Sequence, residues 1–406
     1  MKTILFFIAL LMNTWLMASG PNNDAVLSVR FYGEEINLSY QPELAQVAKI
    51  CAKDRCIKKY YETMEASGQY QLLLDELLHY KEKWQLSDWL YYVLIRKTVE
   101  QLYQGADVEE GKEEMLNTLG TWFYLTKSGY ETRLTNVSLK ALFLYVPSNE
   151  LVYGTSYMRD RKKRYYNLTA HYQKVNTKGF AFRMNEFEPL RDGQPFSFRT
   201  PHLPNLSPQI AHRDIEFKVD DESYTLHLEL DSNALQIMRQ HPTMQPMDYL
   251  EVPISQTAKA SLLPQLQKLI EGKSNQEAVE ILISFTRRAF TYKWDWDIYD
   301  DDKAMIADEL LFSEYSDHED RCALFYFLVK ELLDLPMIIV SHFNDDLTIG
   351  IELDQPVGNA FIYNERRYTI CDPTTPCNSK RLGDIPYGFK EEYIQVIGEY
   401  EPQEGE

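Results

Sequence analysis

His318 lies in the segment Ser316-Asp317-His318-Glu319-Asp320-Arg321-Cys322, ahead of an apolar run that reaches about Leu333. Ser316 and Glu319 have the spacing of a capping box, which predicts a helix starting there. Residue 318 then falls in the first turn, where free N–H groups and the helix dipole stabilise an anion. A thiolate in that turn would be activated for attack. The residue present is an imidazole, which is not a nucleophile of that kind. Cys322 is the nearest sulfur, four residues on and about 6 Å further along the helix axis. Its apolar neighbours predict a packed core thiol, with a relocated nucleophile as the alternative.

The positions around this helix carry a second layer of information. The apolar helix should end before Leu335-Pro336, because the residue before a proline avoids helical geometry. A buried strand, Met337-Ile338-Ile339-Val340, should follow, and then a strand from Asp346 through Ile351. Further on stands Cys371-Asp372-Pro373-Thr374, and upstream Phe290-Thr291-Tyr292. As a set, residues 290 to 375 resemble the core of the transglutaminase-like superfamily, papain-like cysteine enzymes with a Cys-His-Asp triad. In exported bacterial members the nucleophile lies in a Gly/Ser-Asp-Cys-Glu-Asp motif, which here reads Ser316-Asp317-His318-Glu319-Asp320. The resemblance covers roughly a fifth of the chain. It implies a helix packed on an antiparallel sheet, with triad positions at His318, Asp346 and Asp372. A second alignment puts the family histidine at Asn359, and either choice leaves the base position without an imidazole. His342 is close in sequence to Asp346 and fits a solvent-edge histidine equally well.

Thiol acyl transfer needs a thiolate, a base within hydrogen-bond reach and an orienting carboxylate. The set His318, Asp346 and Asp372 supplies neither the thiolate nor the base. It reads as a hydrogen-bonded relic, with His318 donating to Asp346 or Asp372. One imidazole and two carboxylates could alternatively hold a divalent metal. The acidic run Asp295, Asp297, Asp300, Asp301, Asp302 fails EF-hand spacing and reads as a solvated loop. No cofactor is expected.

The composition places this core in a larger, exported chain. At 406 residues two or three domains are expected, and 44% hydrophobic with 13% aromatic content is ample for real cores. A net charge of −19 argues against nucleic acid or an anionic membrane as partner. Met1-Lys2-Thr3, the apolar run Ile4 to Leu11, and Met17-Ala18-Ser19-Gly20 read as a secretory signal peptide, residues 1–20. No later stretch reaches spanning length, so no stable membrane span and a periplasmic or envelope location are expected. Of the five cysteines, Cys51 and Cys56 have poor disulfide spacing within a helix unless the helix starts between them. Cys371 and Cys377 flank a turn and are candidates to pair.

The fold class expected is α+β. Residues 21–130 read as one or two strands followed by helices, with Trp89 to Ile95 thoroughly apolar. Residues 131–255 read as β-rich, including the alternating runs Ile215 to Val219 and Tyr224 to Leu230 about an Asp220-Asp221 turn. Helices from about 256 lead into the transglutaminase-like core, residues 256–398, and 399–406 form an acidic, frayed tail. Trp122 to Lys127 resembles Phe325 to Lys330, and Arg164-Tyr165 resembles Arg367-Tyr368, both at an offset of 203 residues. Residues 131–169 with the preceding helix are thus a candidate degenerate first copy of the core. The expected function is non-catalytic binding of a peptide, glycan or protein partner. The alternative is an active enzyme, through Cys322 or through a metal on His318, Asp346 and Asp372.

Overall fold

The computed structural model describes residues 24–402 except 47–49, 161, 173–181, 295–303, 343–345, 359, 375–380 and 385–393, and of Asp346 the backbone alone. The expected signal peptide, the acidic run from Asp295, Asn359 and Cys377 therefore lie outside the described residues. The fold is mixed α+β with antiparallel principal sheets.

The chain opens with a hairpin, β1 (Ala25–Phe31) and β2 (Glu34–Tyr40). Its two-residue turn is Tyr32-Gly33, both at positive φ, the geometry that matches the twist of paired strands. Four helices follow: α1 (Asp54–Ser67), α2 (Tyr70–Lys83), α3 (Asp88–Leu102) and α4 (Glu113–Lys127). Cys51 and Cys56 form a disulfide with Cα atoms 5.6 Å apart, and α1 begins between them at Asp54. The condition set by helix geometry is met. Then come β3 (Arg133–Val137), β4 (Ala141–Ser148), β5 (Tyr157–Asp160), β6 (Lys163–Asn167) and β7 (Phe182–Met184). They form one sheet in the order β5-β6-β4-β3-β7.

The second hairpin is β8 (Ile210–Val219) and β9 (Glu222–Asp231), turning at Asp220 and Asp221 as the alternation predicts. Short helices α5 (Ser232–Arg239) and α6 (Pro246–Leu250) precede α7 (Gln256–Ile270) and α8 (Asn275–Arg288). Next are β10 (Thr291–Tyr292), α9 (Ala307–Phe312), β11 (Tyr315–Ser316) and α10 (His318–Leu332). The chain ends in β12 (Met337–His342), β13 (Asp346–Ile351), β14 (Ala360–Tyr363), β15 (Arg366–Cys371) and β16 (Gln395–Tyr400). Their order is β14-β15-β13-β12-β16.

The two five-stranded sheets have the same connectivity, strand for strand, and every neighbouring pair in both is antiparallel. The correspondence extends to what packs on them. In the first unit α4 packs on α3, α3 on β1, and α2 on β2; in the second α10 packs on α8, α8 on β8, and α7 on β9. β5 and β14 start 203 residues apart, as do β6 and β15, which is the offset seen in the sequence. One apolar core runs through both units.

In the second unit α10 lies on one face of the sheet, with Ile349 and Ile351 of β13 in the shared core. Tyr368 of β15 is on the other face of the sheet. It joins Ile338 and Val340 in a separate cluster, because side chains alternate between faces along a strand. Gly350 fits between these: a Cβ there would lie 2.7 Å from Ile338 Cγ1. The tail also differs from expectation. Glu399 and Tyr400 belong to β16 and pair with Ile338 and Met337, since the edge of β12 offers its backbone groups. Among the described residues no helix is long and apolar enough to cross a membrane.

Candidate functional site

The first turn of α10 is fixed by a cap one residue later than the sequence spacing suggests. Asp317, not Ser316, is the N-cap: its side chain accepts from Asp320 N at 3.3 Å, and Asp320 accepts from Asp317 N at 3.1 Å. An aspartate in extended geometry completes the reciprocal box as well as a serine would. Ser316 is instead the end of β11, paired in parallel with β10 so that Tyr292 stands beside it. His318 is thereby the first residue of the helix, half-buried, where unpaired N–H groups converge.

Its neighbours are aromatic. The Tyr292 hydroxyl and His318 Nδ1 are 2.7 Å apart, with their rings nearly perpendicular. Trp294 lies 5.6 Å from the imidazole centroid and is 54% exposed. Of the two partners expected for His318, Asp372 is not bonded to it, and the side chain of Asp346 lies outside the described residues. Asp372 is buried and turned inward: its Oδ1 accepts from Thr374 N at 2.9 Å and from the Thr374 hydroxyl, the self-contained turn short carboxylates favour. Arg287 donates from Nε and Nη2 to the Asp372 carbonyl oxygen, which pins that turn to α8.

Beneath His318 is Arg321, 1% exposed. It donates from Nε to Ser316 Oγ and from Nη2 to the Phe290 carbonyl, each at 2.7 Å, and its guanidinium lies over the Tyr292 ring. Burial pushes its pKa down to about 10, against the pull of Tyr292, Asp320 and Asp317. Arg321 ties β10, β11 and α10 together. Sequence reasoning missed it, together with Tyr292 and Trp294 as site residues. The signal was there: Tyr292 and Trp294 have the two-residue spacing of one side of an extended chain, and Arg321 follows His318 by three, on one helix face.

The other candidates fall as follows. Cys322 is fully buried and donates to the Leu347 carbonyl at 3.3 Å. Because Leu347 is the second residue of β13, the first turn of α10 lies toward the end where β13 begins. β15 runs antiparallel to β13, with Cys371 opposite Ile349, so Asp372 is also at that end. Asp346 opens β13, opposite His342, which closes β12 and is buried rather than at a solvent edge. Cys371 is a buried thiol whose pKa burial pushes up, and its candidate partner Cys377 lies outside the described residues. Among the described residues no group of three His, Cys, Asp or Glu side chains is arranged to hold a metal ion.

Compared with protein-family models, curated proteins and solved structures, the chain matches none.

Proposed function

We propose that this chain is an exported transglutaminase-like protein that has lost catalysis and binds a peptide, glycan or protein partner in the cell envelope. The observation that carries the reading is an imidazole at the first turn of α10, at the sheet end where β13 begins and Asp372 follows β15. In a working site of this kind a thiolate would stand there, stabilised by the helix N-terminus. Here His318 is engaged with Tyr292, and the sulfur one turn on is packed against β13. A buried thiol in apolar surroundings is inert. The exported location rests on the segment from Met1 to Gly20. The exposed Trp294 ring beside His318 gives a partner an apolar face with a polar edge.

Assays for amidase, peptidase and acyl-transfer turnover test this reading, run beside a thermal-shift screen of peptides and glycans. A stabilising ligand with no turnover is expected. Turnover abolished in Cys322→Ala would overturn it.

A further inference from the structure

A cleft of about 650 Å³ lies along α8, closed by the β8–β9 turn and by residues 357 and 381–382. Its size suits a small ligand. Arg287, Arg288 and Arg381 line it, with Asp220 on the β8–β9 turn; Asp372 and Asp384 attract Arg287, yet no carboxylate among the described residues is within ion-pair distance of the three guanidinium groups. Arg287 is held by the Asp372 carbonyl through Nε and Nη2, and Arg288 donates from Nη1 to the Lys218 carbonyl at 3.2 Å. Both guanidinium groups are anchored on backbone oxygen and keep donors over, which is how a fixed fork for a carboxylate is built.

The same wall carries the opposite charge further along. Glu280 is seven and eight residues before the two arginines, about 11 Å along the helix. Its Oε1 accepts from Gln276 at 3.1 Å. Ile283, buried, lies between the two charged ends. An extended peptide covers about 3.4 Å per residue, so a ligand with its two terminal charges about 11 Å apart is roughly three residues long.

We propose that this cleft binds a short peptide of about three residues, its C-terminal carboxylate on Arg287, Arg288 and Arg381 and its N-terminal ammonium on Glu280. The proposal stands on the cleft alone. It does not depend on the history of His318, so its failure leaves the reading above untouched.

Calorimetric titration of the full chain with trialanine, trialanine amide and N-acetyl-trialanine tests it. Trialanine should bind saturably. Amidation should weaken it about tenfold or more, as should Arg381→Ala or Arg288→Ala, both at exposed positions. Acetylation should weaken binding to the unaltered chain and make no further difference in Glu280→Gln. Absence of saturable heat up to roughly 10 mM would overturn the proposal. So would equal affinity for trialanine and its amide, or displacement by acetate or phosphate at the same concentration as the peptide, which would mark a plain anion site.

Discussion

Tyr292 and His318, 26 residues apart in sequence, meet at 2.7 Å through the phenol oxygen and the imidazole Nδ1. The contact exists because β10 and β11 pair in parallel immediately before α10 begins, so the strand bearing Tyr292 runs alongside the helix start. It gives the imidazole a fixed neighbour that is not a carboxylate. Tyr292→Phe keeps the ring beside Arg321 and edge-on to Trp294 and removes only the hydroxyl. We expect a loss of about 1 kcal/mol in urea denaturation, the net value of one such hydrogen bond.

Arg321 should matter far more. Its side chain holds Ser316 and the Phe290 carbonyl from inside the protein, so truncation strands a buried carbonyl and opens a cavity. Arg321→Ala is expected to cost about 3 kcal/mol or more by the same measurement. A loss below about 1 kcal/mol would mean that the strand–helix junction holds without it.

How much of this was legible in the sequence depends on what each residue's partners were. Strand and helix positions set by local pattern were readable: the β8–β9 turn, the end of α10 before Pro336, and β13 from Asp346. The identical connectivity of the two sheets left only a trace, the 203-residue offset of Trp122 with Phe325 and of Arg164 with Arg367. Connectivity is a property of which strands pair, and apolar residues of many kinds can satisfy it. The elements that carry His318 and Asp372 were legible, but not the bonding of these side chains. Two capping solutions, Ser316 with Glu319 and Asp317 with Asp320, overlap by one residue, and sequence spacing does not choose between them. Of the two partners expected for His318, Asp372 is taken locally by Thr374, two residues on.

Asp308 gives a pH prediction with a definite sign. It is fully buried, accepts from Ser255 Oγ at 3.1 Å, and burial pushes its pKa up to about 6. A carboxyl that binds its proton more tightly when folded stabilises the protein at low pH. That contribution is complete below the unfolded value of 3.8 and is lost as pH rises through about 6. The full effect is on the order of 3 kcal/mol. Asp308→Asn should therefore flatten the fall in stability between pH 4 and about 7 relative to the unaltered chain, read by denaturant titration at several pH values. An unchanged slope would place the carboxylate's ionisation elsewhere.

The two described free thiols are expected to be silent in the native state. Cys322 and Cys371 are both fully buried. Iodoacetamide followed by peptide mass mapping should modify them only after denaturation, because alkylation requires an exposed thiolate. Rapid native modification of Cys322 would contradict its placement as a packed core residue.

The central claim is that the first turn of α10 is a nucleophile position whose nucleophile and base are both gone. The most direct test is the iodoacetamide rate at residue 318 in His318→Cys and in the double variant His318→Cys with Asp346→His. The account predicts that the single variant reacts at the rate of an ordinary thiol. In the double variant the rate should rise at neutral pH, as a paired imidazole draws off the proton. A single variant already reacting at the rate of the double would contradict it, and would place the base on another residue, with His342 the first to replace.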